Sequence, residues 1–371
     1  EAATEGRVKI AVFPASQLGE ELALSEGLTL GTVDIIYTGI GFVSSYYAPI
    51  GMTDYPFTLR GMDHWRAFRD SDLLAEMKSE LSAAMGGVEV AAISYYGSRH
   101  VTANKPILKP SDMKGLKIRV PNAPAYLIFP EATGANPTPM AFSEVYLALQ
   151  QGVVDAQENP LTTIKAKKFY EVQSDISLTG HIMNSTLTLV SPSALSRLSD
   201  EDADVVRKAL VDNATRVTAD VEAAENELAD WFVEQGTAVH EVDRAAFIDA
   251  VRPVLLEADV PFSTEQYERR DEVMAEVAND LRARGRNPYV IPEGGSNSLG
   301  AMGYVEMIRE LKEQMNTQGV SFDSIFCCLG SGGTYAGILM GICVSKFFSS
   351  GLRFFCQSRT SSPKGTSSGN Q

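Results

Sequence analysis

One long helical pattern in the middle of the chain constrains the fold most. Ser199 stands where an N-terminal cap would lie, and Gly236 ends the pattern. From Asp200 to Gln235 an uninterrupted helix would span about 54 Å at 1.5 Å per residue. A helix of this length suits a strut that crosses two lobes. Its apolar residues recur at steps of three or four along one face: Val206, Leu210, Ala214, Val217, Val221, Ala224, Leu228 and Trp231.

Strand and helix patterns alternate before this helix. Residues 7–13 alternate in hydropathy, which predicts a strand with one apolar face. The next helical pattern ends at Gly31, a residue typical of helix C-termini. Strand, helix and strand in this order predict an α/β sheet. The predicted strands are 7–13, 33–37 and 88–94, and the first predicted helix is 20–30.

Composition narrows the function classes. The chain has 371 residues and a net charge of −15, which argues against nucleic acid or an anionic membrane surface as a partner. No apolar run approaches the roughly 20 residues that span a bilayer. The cysteines lack zinc-site spacing, so no metal site is predicted. They all lie near the C-terminus, at Cys327, Cys328, Cys343 and Cys356.

Arg119 is the strongest candidate for a binding residue. It lies in the middle of a short strand pattern that ends before Pro121. A guanidinium on a half-buried strand needs an anion, and no carboxylate is near it in sequence. Two alternatives follow: an internal salt bridge with a distant residue, or an anionic ligand.

Three motifs then indicate a family. The sequence resembles the periplasmic substrate-binding subunits of tripartite ATP-independent (TRAP) transporters over about residues 5–257. The resemblance implies a two-lobed α/β fold of the periplasmic-binding-protein type with a long strut helix. It also implies a periplasmic protein that closes on a carboxylate ligand and delivers it to membrane permease subunits, with no cofactor and no enzymatic activity. The motifs are LKIRVPN at 116–122, GANPTPMAFSEVY at 134–146 and QQGVVDAQENP at 150–160.

The resemblance also implies roles for five residues. Arg119 would bind the ligand carboxylate as a bidentate pair, and Arg99 and Asn159 would orient it. Phe142 would pack against the carbon skeleton, and His181 would line the cleft. Simpler roles stay open: a surface arginine at a hinge for Arg99, a turn before proline for Asn159, and core packing for Phe142 and His181.

One departure from relatives narrows the ligand class. Sialic-acid binders of the family carry a glutamate just after the second strand, whereas residues 36–41 contain no acid. The segments 96–100 and 129–130 are more similar to those of sugar-acid binders, and dicarboxylates stay open.

The start of the sequence also departs from the family. In the family a strand and a helix precede the segment that matches residues 6–10, and we therefore expect a weakened first lobe. No signal peptide is recognised before Glu1.

A second resemblance covers about residues 260–342, which are similar to an internal part of D-cysteine desulfhydrase, a fold-type II pyridoxal-phosphate enzyme. The family's Schiff-base lysine lies upstream of this part, so we expect no lyase activity. The alternatives are a pyridoxal-phosphate lyase or a non-functional gene fusion. The predicted phosphate loop, a vestige by this interpretation, is Gly330, Ser331, Gly332, Gly333 and Thr334.

The two resemblances together predict a domain division. Lobe I and the strut would comprise 1–98 and 183–257, and lobe II would comprise 99–182. The enzyme-like fragment, a partial Rossmann-like βαβα unit, would comprise 258–342. Residues 343–371 contain no acidic residue and end in a Ser/Gly/Thr-rich run, which predicts a disordered tail.

Overall fold

A computed structural model describes residues 1–258, 260, 262, 324–329 and 353–358. The chain divides into two compact units, Glu1–Val277 and Ala278–Gln371. The helices are α1 Glu21–Leu30, α2 Met62–Arg69, α3 Asp72–Ala84, α4 Ala125–Ala132, α5 Val145–Gln150, α6 Leu161–Ala166, α7 Pro192–Ser196, α8 Asp200–Glu234 and α9 Arg244–Glu257. The strands are β1 Ile35–Gly39, β2 Glu89–Ala103, β3 Lys117–Val120, β4 Asn136–Pro139, β5 Ala156–Pro160, β6 Asp175–Val190, β7 Ala238–His240, β8 Ser324–Leu329 and β9 Arg353–Ser358.

Two long strands organise the first unit. β2 and β6 pair antiparallel from Glu89↔Val190 to Ala103↔Asp175, with three register irregularities. β1 pairs with one end of β6, and β7 pairs with the other end. β5, β3 and β4 continue the sheet beyond the C-terminal half of β2, in the order β1-β6-β2-β5-β3-β4. Because β2 and β6 run through both lobes, they connect the two lobes directly.

Each lobe has its own hydrophobic core. Lobe I packs α1, α3 and the N-terminal half of β2 around Trp65 and Leu187. Lobe II has one core around Phe129 and Ile118 and another around Phe169 and Ile164. This arrangement confirms the predicted two-lobed α/β fold.

The predicted strut helix is confirmed, since α8 runs without interruption from Asp200 to Glu234. The Ser199 hydroxyl accepts the backbone N–H of Asp202, as the N-cap prediction requires. In the middle of the helix Thr218, rather than Val217, is the buried residue. The reason is a hydrogen bond across to the sheet: the backbone N–H of Tyr95 donates to the Thr218 hydroxyl at 3.1 Å.

The predicted strand at residues 7–13 is wrong. This segment has no strand structure, and Ile10 and Val12 are 51% and 79% exposed. A period-two pattern supplies an apolar face, but a strand also needs a neighbour for its backbone N–H and C=O groups. Among the described residues the segment is held at its start instead, where the Arg7 guanidinium pairs with the carboxylate of Asp202 on α8.

The structure also differs from the predicted grouping of 183–257 with lobe I. α9 contributes Phe247 and Val251 to the Phe129 core of lobe II, and the C-terminal half of α8 contributes Leu228 and Phe232 to the Phe169 core. Hydrophobic periodicity identifies a buried helix face but not the lobe that covers it, so the sequence could not make this assignment.

In the second unit β8 and β9 form a parallel pair, with Cys327 opposite Cys356 in the register. β9 lies inside residues 343–371, the predicted disordered tail. The tail is polar on average, but residues 354–356 form a local Phe-Phe-Cys run that favours a strand. The predicted helices and phosphate loop between 263 and 323 and between 330 and 352 lie outside the described residues.

Candidate ligand-binding site

Arg119 lies on β3, between β4 and β5, and is 2% exposed. Its Nε and Nη2 atoms donate to the carbonyl oxygen of Met140, at 3.1 and 2.6 Å. No carboxylate oxygen in the described part of the chain lies within 4.0 Å of its guanidinium nitrogens. The cation is therefore buried without an ion-pair partner among these residues.

The pKa of Arg119 reflects its burial without an ion-pair partner among the described residues. Burial, followed by repulsion from the Arg99 guanidinium, lowers the pKa of Arg119 to about 10, although Glu158 and Glu21 act in the opposite direction. At neutral pH the side chain is still charged. An anion bound beside it would offset the free-energy cost of burying this charge.

Arg99, in contrast to Arg119, is paired with a carboxylate. Its Nε and Nη2 atoms contact the two carboxylate oxygens of Glu158, and Nη1 donates to Oδ1 of Asn184 at 2.9 Å. Burial acts against its charge, but the Glu158 carboxylate outweighs this effect and raises the pKa of Arg99. Arg99 is therefore neutralised inside the protein. The alternative of a surface arginine is wrong, because the side chain is 3% exposed.

His181 and Asn159 are also enclosed by protein partners. The Nδ1 and Nε2 atoms of His181 contact the Thr179 hydroxyl at 2.8 Å and a Glu158 oxygen at 3.2 Å. Its ring stacks on Phe129 at 4.0 Å, and burial lowers its pKa. Asn159 is 2% exposed and donates to Oε1 of Gln157 at 2.6 Å. These contacts fit the core role that the sequence left open for His181.

Phe142 begins a 3-10 turn and is half-buried beside Arg119. The Arg119 guanidinium lies 5.7 Å from the centre of its ring, and the Lys167 ammonium lies 4.8 Å from it. The ring packs edge-on against Phe169 at 6.2 Å. Phe142 is therefore both part of the lobe II packing and an aromatic neighbour of the Arg119 guanidinium.

A buried carboxyl group that sequence reasoning missed connects the lobes. Asp54 of lobe I accepts hydrogen bonds from the Tyr126 hydroxyl at 2.7 Å, the Asn184 side-chain amide at 2.7 Å and the Gly41 backbone N–H at 3.0 Å. Burial, partly offset by Tyr126 and Arg99, raises the pKa of Asp54 to about 6. No local motif marks Asp54, because all its partners come from distant segments.

The structure thus brings the five predicted residues together: the four polar ones lie in one polar region, and Phe142 lies beside it. Arg99 and His181 share Glu158, and Arg119 lies close enough to Arg99 for their charges to interact. Asn159 follows Glu158 on β5, and Phe142 adjoins Arg119. The phosphate loop 330–334 lies outside the described residues. In the described part of the chain there is neither a helix that could cross a membrane nor a cluster of residues suited to a metal ion.

Residues 1–259 match the family described as bacterial extracellular solute-binding protein, family 7. The chain belongs to this family. Its members are solute-binding proteins that capture small ligands outside the cytoplasm, which agrees with the two-lobed α/β fold.

Two named relatives show the range of this family. The sialic acid-binding periplasmic protein SiaP of Vibrio cholerae is 38% identical over 256 residues, which cover 69% of this chain and 79% of the relative. The 2,3-diketo-L-gulonate-binding periplasmic protein YiaO of Escherichia coli is 32% identical over 276 residues, which cover 73% and 83%.

Solved structures agree with the fold. One is a TRAP periplasmic solute-binding protein from Bordetella bronchiseptica, with density interpreted as pantoate. It superposes with a TM-score of 0.69 at 36% identity, and the match covers 72% of this chain and 89% of the relative. A TRAP periplasmic solute-binding protein from Roseobacter denitrificans with bound L-galactonate has a TM-score of 0.68 at 31% identity. This match covers 74% of our chain and 89% of the relative.

A second family match covers residues 239–344 and is described as pyridoxal-phosphate dependent enzyme. It overlaps the first match at 239–259, where β7 and α9 pack against lobe II. Most of the remainder lies outside the described residues.

Proposed function

We propose that this solute-binding protein captures a sugar acid through its carboxylate and presents it to the membrane permease of a TRAP transporter. One observation carries the proposal: Arg119 is buried and charged, and no carboxylate of the described chain pairs with it. A ligand carboxylate is the natural partner for such a guanidinium, since the two groups form a bidentate pair.

The ion pairing around Arg119 supports the proposal. Arg99, Arg119 and Glu158 lie close enough for their charges to interact. Glu158 pairs directly with Arg99, and this pairing leaves Arg119 without a directly bonded carboxylate among the described residues. A bound monoanion would supply that partner. Arg99 then acts by fixing the position of Glu158 and Asn184, rather than as a free ligand for the substrate.

Lobe closure would provide the capture mechanism. Arg119 and Phe142 belong to lobe II, whereas Asp54 belongs to lobe I and accepts the hydroxyl of Tyr126 across the boundary. Ligand contacts that form only when the lobes meet would favour the closed state. The strands β2 and β6, which run through both lobes, would bend during this motion.

A sugar acid fits the sequence better than sialic acid does. The segment 36–41, at the end of β1, contains no acidic residue, unlike the sialic-acid binders that it resembles. The bound ligands of several structural relatives, among them L-galactonate and D-erythronate, are sugar acids. By the same family relationship, we assign the protein to the periplasm.

An Arg119→Gln variant tests the proposal. In the unmodified protein a saturating sugar acid such as galactonate should raise the unfolding free energy, by about 2.7 kcal/mol at one hundred times Kd. The variant should lose this stabilisation. Its ligand-free stability should fall by no more than about 0.5–1.5 kcal/mol, because hydrogen bonds to the Met140 carbonyl are weakened but no buried ion pair is broken. Thermal unfolding with and without ligand measures both quantities.

Arg216→Gln is the matched control, since Arg216 is exposed on α8. It should keep the ligand response. A ligand-free Arg119→Gln protein destabilised by about 3–5 kcal/mol would instead identify Arg119 as half of a structural ion pair. An undiminished ligand response in that variant would exclude Arg119 as the carboxylate anchor.

We also propose that the region matching the pyridoxal-phosphate family is a catalytically inactive fragment of a D-cysteine desulfhydrase-like enzyme, joined to the binding protein. The supporting argument is positional, because the part of that family which supplies the Schiff-base lysine has no counterpart here. The purified chain mixed with pyridoxal phosphate should release no sulfide from D-cysteine. Cofactor-dependent sulfide release, lost after borohydride trapping of a lysine, would make the lyase the better assignment.

A further inference from the structure

A short segment of lobe I, residues 54–57, contacts lobe II at both of its ends. At its start the Tyr126 hydroxyl donates to Oδ2 of Asp54 at 2.7 Å, although the two residues are 72 positions apart. At its end the backbone N–H of Phe57 donates to the carbonyl oxygen of His181 at 2.7 Å, and the Phe57 ring packs against the lobe II core. The lobes are therefore joined here by side-chain and backbone contacts, in addition to the continuous strands β2 and β6.

Phe57 adopts an unfavourable backbone conformation in this segment. Its φ is +58°, a left-handed value at which the Cβ atom of a bulky residue crowds its own backbone. Such a conformation persists where surrounding contacts enforce it. Here the contacts come from lobe II, since the His181 carbonyl binds the Phe57 N–H and the Arg244 guanidinium lies 5.2 Å from the centre of the ring. Contact with lobe II thus determines the conformation of the segment.

The Asp54 end of the segment is closely fitted and shielded from water. Asp54 is fully buried, and Tyr126 is 3% exposed. A Cβ atom on Gly41 would lie 2.6 Å from Oδ2 of Asp54 and 3.1 Å from Cε2 of Tyr126, so a larger residue would push these side chains away. Separating the lobes at this point breaks a hydrogen bond to a buried carboxylate. The loss is costly until water replaces the hydroxyl.

Asn184 connects this contact to the arginines of lobe II. Its Nδ2 atom donates to Oδ1 of Asp54 at 2.7 Å and to the Tyr126 hydroxyl at 2.9 Å. Its Oδ1 atom accepts from Nη1 of Arg99 at 2.9 Å. The Arg99 guanidinium also lies 5.0 Å from the centre of the Tyr126 ring. The contact between the lobes and the position of Arg99 therefore depend on the same side-chain amide.

We propose that the hydrogen bond between Tyr126 and Asp54 is a latch that keeps the two lobes together around a bound sugar acid and slows its release. The inference rests on the proposed function, because it takes lobe closure as the capture mechanism. Both are positioning residues, which act on the ligand through the lobes and through Asn184 and Arg99. The ligand enters before the lobes meet, so the latch lowers the dissociation rate constant koff and leaves the association rate constant kon nearly unchanged.

Surface plasmon resonance measures both rate constants. The ligand is whichever of L-galactonate, D-erythronate and L-fuconate, all found bound to structural relatives, the unmodified protein binds most tightly. Tyr126→Phe removes the hydroxyl and keeps the ring, and it should raise koff roughly tenfold while kon changes by less than about twofold. Tyr146→Phe is the matched control. It removes a hydroxyl that donates to Oε2 of Glu171 at 3.0 Å, a contact within lobe II, and should leave koff unchanged.

A second variant shows whether the two groups act together. Asp54→Asn should also raise koff. The Asp54→Asn/Tyr126→Phe double variant should release the ligand no faster than about twice the rate of the faster single variant, because both substitutions remove one contact. Urea unfolding without ligand, measured in parallel, identifies general damage to folding, since a destabilised but folded protein keeps its koff. Should Asp54→Asn not fold, Tyr126→Phe alone decides the inference.

The latch is excluded if Tyr126→Phe keeps the koff of the unmodified protein, or if Tyr146→Phe raises koff by the same factor. Effects of Asp54→Asn and Tyr126→Phe that multiply in the double variant would show that the two residues act separately, which also contradicts the latch. An unmodified protein that binds none of the three sugar acids contradicts the proposed function itself. Binding that depends on Arg119, with normal release from Tyr126→Phe, contradicts only the latch.

Discussion

Arg99 and Arg119 show how the same type of side chain can have opposite electrostatic environments within one lobe. Both are buried in lobe II, yet the pKa of Arg99 is raised by the Glu158 carboxylate, whereas burial and Arg99 lower that of Arg119. The sequence could single out Arg119, because its own strand offers no anion. It could not reveal that Arg99 is paired, since this depends on the register that places β2 beside β5, with Val101 opposite Glu158.

Asp54 gives the clearest pH prediction. Its folded-state pKa of about 6 is above the ordinary value of 3.8, so the folded state binds more protons between these pH values. Stability from this group should therefore be greatest below pH 4 and fall as the pH rises to about 6, by roughly 3 kcal/mol. Urea unfolding of the unmodified protein and Asp54→Asn across this range should isolate the effect as a difference.

Asp230→Asn, at an exposed position of α8, is the control and should follow the pH profile of the unmodified protein. Asp54→Asn is expected to be less stable overall, since an amide cannot accept from Tyr126, Asn184 and Gly41 together. Its stability should nevertheless lack the fall between pH 4 and 6. Parallel profiles for the variant and the unmodified protein would show that Asp54 does not titrate in this window.

At the scale of elements, the irregular part of β2 depends on α8. The register between β2 and β6 shifts between Tyr95 and Gly97, and this frees backbone N–H groups from the sheet. Thr218 accepts the N–H of Tyr95, and Glu225 accepts the N–H of Ser98 and the Tyr95 hydroxyl. Gly97 has a φ of +124°, and a Cβ there would lie 2.6 Å from Cβ of Pro160, so only glycine fits.

Replacing Glu225 should therefore destabilise the protein. Glu225→Ala leaves the Ser98 N–H unsatisfied and should cost about 1–3 kcal/mol in the free energy of unfolding, whereas Glu225→Gln retains an acceptor and should cost less. Glu227→Ala, an exposed neighbour on α8, should change stability by less than about 0.5 kcal/mol. Urea unfolding compares all three, and equal losses for Glu225→Ala and Glu227→Ala would contradict the role assigned to Glu225.

Helix ends that are marked by capping residues were predicted well. α1 ends at Leu30 before Gly31, whose φ is +73°, and α8 begins after Ser199, as their capping residues indicate. Strands were less predictable. The second strand was expected at 33–37 and lies at Ile35–Gly39, and residues 7–13 form none. Helix caps are encoded within a few residues, whereas a strand requires a neighbour elsewhere in the chain.

At the scale of the whole molecule, the family resemblance predicted what residue patterns could not. It gave the two-lobed architecture and placed the candidate site between segments distant in sequence. It did not predict that α9 and the end of α8 complete lobe II, which follows from the packing of Phe247 and Phe232. The predicted boundaries at 98/99 and 182/183 stay predictions, because β2 and β6 pass through them without interruption.

The packing of α9 has a consequence for how such a gene can be joined to another. Lobe II is not a contiguous stretch of the coding sequence, because Phe247 and Val251 close a core that begins at Val101. A junction upstream of α9 would remove part of that core, whereas a junction after it leaves the lobe II core complete, although Val260 and Phe262 still pack against lobe I. The second family match begins at residue 239, but the segment it shares with the first match is packed as part of the binding protein. In terms of gene architecture, the end of α9 is the first point at which unrelated coding sequence can follow without opening the interior of lobe II.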